Sequence, residues 1–132
     1  PIWLVDENWE ISRRDRIITY LESGFSVTSY LGHSFCRFKC GIEDKKMGCC
    51  ELSDGTWFWP EGLSHYIERH DVRLPEEFVK HLEEQNWRVP SLSKEEIKEI
   101  GNGKFSLVFW IKWSKKLRPK PTIIDRLKGI IR

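Results

Sequence analysis

The chain has 132 residues, the size of one domain, with 39% hydrophobic, 13% aromatic and 32% charged residues; this is a globular composition and excludes a disordered or fibrous chain. No apolar run reaches the about 18 residues that a membrane span needs, and an N-terminus carrying Asp6, Glu7 and Glu10 is unlike a signal peptide. The net charge of +2 hides an asymmetry, because Lys112 to Arg132 holds eight basic residues against Asp125 alone and leaves residues 1–111 acidic; that excludes a uniformly basic nucleic-acid domain.

Ser12 and Asp15 make a capping-box-like start, Ile17, Ile18 and Leu21 an apolar stripe, and Gly24 stands where a left-handed C-cap belongs, which predicts a helix over 12–23. Phe25-Ser-Val-Thr-Ser-Tyr30 has the aromatic and β-branched content of a strand (25–31). Leu31-Gly32-His33 turns the chain into a returning strand, Ser34 to Phe38. Residues 39–55, with Gly41, Gly48 and the pair Asp54-Gly55, read as a loop long enough to need an internal staple. Thr56 to Trp59 is a short strand with Trp57 and Trp59 on one face. Pro60 then suits the first position of a helix over 60–70, whose apolar face is Leu63, Tyr66 and Ile67. Pro75 starts a second one over 75–86, burying Phe78, Val79, Leu82 and Gln85. Ser93-Lys-Glu-Glu96 is a full capping box, followed by Ile97 and Ile100 and stopped by Gly101-Asn102-Gly103.

Lys104 to Trp113 reads as the strongest strand, with Phe105, Leu107, Phe109, Ile111 and Trp113 on one face. Beyond the stiff Arg118-Pro-Lys-Pro121, residues Ile123, Ile124, Leu127, Ile130 and Ile131 recur at helical spacing. The expected fold is α+β: one domain over 1–118 with an antiparallel sheet of about four strands (25–31, 34–38, 56–59, 104–113). Helices 12–23, 60–70 and 75–86 pack on it, and Trp57, Trp59, Leu63, Phe105 and Phe109 are central. Residues 119–132 form a basic amphipathic helix that docks on this body or on a second copy as a homodimer. With no aromatic among residues 117–132, it is not expected to bind a membrane.

The four cysteines, Cys36, Cys40, Cys49 and Cys50, are crowded into one short stretch, and the last two are vicinal. Neighbouring cysteines bridge only with strain, so the thiols are read as reduced and the chain as cytoplasmic. Cys36-x3-Cys40 with His65-x4-His70 supplies two thiolates and two imidazoles, the ligands of a tetrahedral Zn²⁺ site, with Cys49 or Cys50 as substitutes. Gly41 after Cys40 suits a metal knuckle. On an ideal helix His65 and His70 stand about 140° apart, so they are expected to converge only if His70 lies past the helix end. The alternative is four buried free cysteines and two hydrogen-bonded histidines.

A cysteine enzyme would use Cys49 or Cys50 with His65 or His70, yet no acid partner is marked by spacing. His65-x-x-Glu68 occurs once, and the zinc-deaminase, Walker and dinucleotide glycine patterns do not occur. Helices 60–70 and 75–86 have the layout of a helix-turn-helix, but Glu76, Glu77, Glu83 and Glu84 against Lys80 would repel phosphate.

Ser53-Asp-Gly-Thr-Trp-Phe-Trp-Pro-Glu-Gly-Leu-Ser-His-Tyr66, continuing through His70 to Leu74-Pro-Glu-Glu-Phe78, resembles small, uncharacterised bacterial proteins with a Trp-Pro-Glu-Gly-Leu-x-His-Tyr core. The likeness takes in Ser34-Phe-Cys-Arg-Phe38 and covers about residues 17–80. It implies that Cys36, Trp59, His65 and His70 belong to one unit and brings no activity with it. The expected function is a non-catalytic protein-binding module, toxin-neutralising (immunity-like) or regulatory and zinc-stabilised, whose acidic body suits a basic protein partner. A metal-dependent or cysteine-based enzyme is the alternative, and a nucleic-acid-binding protein the second.

Overall fold

Mixed helix and sheet make up residues 2–29, 31–101 and 107–117, the part that the computed structural model describes, with the side chains of 101, 107–109 and 111 excepted. Helix α1 spans Arg14–Glu22. It starts later than Ser12 promised: Arg13 is the N-cap and no side chain caps the helix. Nor is Gly24 a left-handed cap, since Ser23, in a right-handed conformation, ends α1. Gly24 is needed for another reason. A Cβ there would lie 2.5 Å from Trp59 Cζ2, so the chain passes the indole where no side chain fits.

The sheet has three strands among the described residues, β1 (Phe25–Ser29), β2 (Cys50–Ser53) and β3 (Phe58–Pro60), antiparallel in the order β1-β2-β3. Phe25 pairs with Ser53 and Ser29 with Cys50, while Leu52 pairs with Trp59. The central strand β2 thus falls in the segment predicted to be loop. Its two buried residues are Glu51 and Ser53, so its alternation is polar and escapes a hydrophobic pattern. The β2–β3 turn is as expected: Asp54 Oδ1 accepts the N–H groups of Thr56 and Trp57, and Gly55 has φ +99°.

Two predicted strands are not found among the described residues. Residues 34–38 are irregular, because their backbone groups bond elsewhere: Ser34 N–H to the Gly48 carbonyl and Arg37 N–H to the Tyr66 hydroxyl. A short helix α2 (Asp44–Met47) follows in the same connection. Of the predicted strand 104–113, residues from 107 onward are helical, and 102–106 lie outside the described residues.

Helix α3 spans Leu63–His70 and α4 spans Glu76–Glu84. Pro60 closes β3 opposite Glu51 instead of opening α3, and Pro75 is the N-cap of α4. Helix α5 (Lys94–Gly101) carries its capping box, with Ser93 Oγ accepting from Glu96 N–H and donating to Glu96 Oε1. Helix α6 (Leu107–Leu117) turns Trp110, Trp113, Ser114 and Leu117 inward and exposes Lys112, Lys115 and Lys116. Period-2 and period-3.6 patterns overlap when nearly every residue is apolar, and here the helix wins.

The core is Ile17, Tyr20 and Leu21 of α1, Trp59, Leu63 and Ile67, and Phe78, Val79 and Leu82 of α4. Trp59 is wholly buried as predicted and Leu63 nearly so, while Trp57 is half-buried and stacks on Phe78 at 4.5 Å between ring centroids. Burying one such side chain stabilises by about 1.5–3 kcal/mol. Helix α6 is pinned by Trp110 Nε1 to the Phe58 carbonyl and by Trp3 Nε1 to its own Ser114 carbonyl. Phe105, the side chain of Phe109 and the predicted C-terminal helix 119–132 lie outside what is described. Among the described residues no helix is long and apolar enough to cross a membrane.

Candidate metal centre

The stretch Cys36 to Gly41 folds as a knuckle. Lys39 N–H closes a turn onto the Cys36 carbonyl at 2.9 Å, and Lys39 itself takes φ +52° before Cys40, with Gly41 following at φ +88°. The left-handed Lys39 absorbs the third intervening residue, so both cysteines reach the same side of the turn. The knuckle is clipped to α3 through one hydroxyl: Tyr66 accepts from Arg37 N–H at 2.9 Å and donates to the Phe35 carbonyl at 3.3 Å. Phe38 stacks on His70, centroids 4.5 Å apart and rings 9° from parallel.

Cys36 Sγ lies 3.3 Å from His70 Nε2 and Cys40 Sγ 3.5 Å from His65 Nε2. The four ligand atoms all fall within 4.8 Å of one another, so the cluster can hold a metal ion. All four predicted ligands are therefore together. The expectation that His70 must leave the helix is corrected. His70 is the last residue of α3, and left-handed Asp71 (φ +52°) turns the chain away behind it. At a helix end the two long side chains can lean toward each other, and their rings meet edge-on at 5.0 Å. Burial pushes the His65 imidazole below its ordinary value, and the neighbouring His70 and Arg69 add to this; the neutral ring is the form that ligates.

Cys49 and Cys50 do not substitute in this cluster. They form a separate group with Glu61, again with ligand atoms within 4.8 Å. Their Sγ atoms are 3.8 Å apart. Ser29 and Ser26, by hydrogen bonding, lower the Cys50 thiol, whereas the bond to Cys50 raises Cys49. All four cysteines are free. This second group, and not the first, lines a cavity of about 540 Å³ whose wall also includes Leu4, Phe38, Leu63, Tyr66, Trp110 and Trp113.

Residue type and pairing at short spacing marked the four clustered ligands. They did not mark Tyr66 and Phe38, which position the knuckle and a histidine, or Glu61. No spacing rule singles these three out, because their roles follow from tertiary placement. Comparison of the chain with protein-family models, with curated proteins and with solved structures yields no match.

Proposed function

We propose that the protein is a non-catalytic protein-binding module whose contact loop is held by a structural zinc ion at Cys36, Cys40, His65 and His70. The reading is carried by the spacing of the ligand atoms. With Zn–S near 2.3 Å and Zn–N near 2.0 Å, a tetrahedral ion sets sulfur and nitrogen about 3.5 Å apart. Two of the four sulfur–nitrogen pairs here stand 3.3 and 3.5 Å apart, and every pair of ligand atoms lies within 4.8 Å. Four protein ligands close the coordination sphere, as structural sites do, whereas catalytic zinc keeps a position open.

The ion would fasten residues 31–49, which carry little regular structure, to the rigid α3. That segment presents Leu31 fully and Phe35 47% to solvent, and the Arg37 guanidinium lies 3.8 Å over the Phe35 ring. Apolar side chains on a loop already held in shape bind with a smaller ordering cost. Exposed Glu76, Glu77, Glu83 and Glu84 on α4 and Glu95, Glu96 and Glu99 on α5 suit a partner with a basic face.

Elemental analysis together with amide hydrogen exchange tests this. The expected result is zinc bound by the cluster, with residues 34–40 protected in the zinc form and fast-exchanging after chelation. Leu31→Ser with Phe35→Ser should abolish capture of a partner from the native organism while zinc content is kept. Failure to bind zinc, or capture unaffected by both substitutions, counts against the reading.

A further inference from the structure

The vicinal thiols belong to a second constellation that the binding-module reading leaves unused. Successive side chains of a regular strand point to opposite faces. Cys49 and Cys50 nevertheless have their Sγ atoms 3.8 Å apart, because Cys49 precedes β2 and follows Gly48 in a left-handed turn, φ +78°. The same turn aims two successive backbone N–H groups, of Cys49 and Cys50, at Glu61 Oε2, at 3.0 and 3.1 Å. Such a nest fixes a carboxylate in place. Glu61 in turn occupies the space over Gly48: a Cβ on Gly48 would lie 2.0 Å from Glu61 Oε2. The carboxylate is thus held beside the two thiols by backbone alone, and all three groups offer ligand atoms within 4.8 Å of one another.

We propose that Cys49, Cys50 and Glu61 form a second metal site, open where the first is closed, for a thiophilic divalent cation of the zinc class. The sulfur separation fits: two thiolates on one tetrahedral ion with M–S near 2.3 Å stand about 3.8 Å apart. Three protein ligands leave one coordination position for an exogenous donor, the arrangement of zinc sites that act on a ligand. All three residues line the cavity of about 540 Å³, whose wall includes Phe38, Trp110 and Trp113. That volume is within the range of small-molecule pockets. The fourth ligand is accordingly a small, largely apolar molecule with a donor atom for the metal.

Titration of reduced, metal-free protein with Co²⁺ alone tests the site. The expected result is two equivalents bound, each with a thiolate-to-cobalt charge-transfer band, and added imidazole changing the spectrum of one equivalent only. Cys49→Ser with Cys50→Ser should leave one equivalent, insensitive to imidazole. Glu61→Gln keeps an oxygen for both N–H groups, so it should fold as wild type by circular dichroism and weaken the imidazole-sensitive equivalent about tenfold or more. Two equivalents retained in the double cysteine variant, or a single equivalent removed by Cys40→Ser and untouched by Cys49→Ser, overturns the second site. Two equivalents that both ignore imidazole overturn its open position. A single equivalent lost with Cys49→Ser but not with Cys40→Ser upholds this site and removes the closed one.

Discussion

The Tyr20 hydroxyl donates to Asp54 Oδ2 inside the core, and His81 Nε2 lies 2.7 Å from the same oxygen. The other carboxylate oxygen accepts the N–H groups of Thr56 and Trp57. One buried carboxylate therefore joins α1, α4 and the β2–β3 turn. Asp54→Ala strands these groups in the interior and should cost about 3–5 kcal/mol, the range for breaking a buried pair. Tyr20→Phe removes one donor and should cost about 1–2 kcal/mol. Urea denaturation measures both, and equal costs would contradict the central place of Asp54.

The same contact sets an alkaline limit. Burial, then the bond to Asp54 and its negative charge, push the Tyr20 phenol far above its ordinary value of 10.0. A group whose folded pKa is raised contributes its full stability below the unfolded pKa. As pH rises past about 10 the unfolded state loses a proton that the folded state keeps, so stability falls by up to about 1.4 kcal/mol per pH unit. Stability measured from pH 9 to 11 should drop more steeply for wild type than for Tyr20→Phe. Parallel curves would show that Tyr20 ionises freely in the folded protein.

Helices whose inward residues are apolar against a polar outer face were legible in the sequence: α3 and α4 lie where Leu63 and Ile67, and Phe78, Val79 and Leu82, placed them. Strand β2 was not, because it buries Glu51 and Ser53. Nor was α6, where Leu107 to Trp113 satisfies both periods and only packing against Phe58 and Trp3 selects one. The clustered ligands were legible because thiol and imidazole chemistry belongs to the residue. Their meeting depended on the left-handed Lys39 and on the end of α3 at His70, neither of which spacing encodes. Glu61 could not be read as a partner of Cys49 and Cys50, since only the turn at Gly48 brings them together.

Two glycines should respond differently to the same substitution. At Gly24 an added Cβ meets Trp59 Cζ2 at 2.5 Å and Leu52 Cβ at 3.0 Å, neither able to move freely. Gly24→Ala should therefore cost about 1–3 kcal/mol by overpacking. At Gly41 nothing lies within 4 Å, and the cost comes from φ +88° alone, about 1–2 kcal/mol. The measurement that separates them is metal affinity: Gly41→Ala strains the knuckle and should weaken it, whereas Gly24→Ala should lower only the melting temperature.

Tyr66 supplies the sharpest separation of metal holding from folding. Its hydroxyl clasps the knuckle at Arg37 N–H and the Phe35 carbonyl, yet it does not belong to the ligand cluster. Tyr66→Phe keeps the ring against Phe38, whose centroid is 5.9 Å away, and removes the clasp. The fold should lose about 1 kcal/mol, the worth of ordinary hydrogen bonds. The ion should lose more, because ligands held by a loosened loop must be ordered on binding; outer-shell changes of this kind cost about 10–100-fold in affinity. Competition with a chromogenic chelator, run beside circular dichroism, reads both quantities. His70→Ala, which deletes a ligand, should weaken zinc further than Tyr66→Phe. Zinc affinity unchanged in Tyr66→Phe would mean that the ligands alone hold the knuckle on α3 and that the hydroxyl clasp has no part in it.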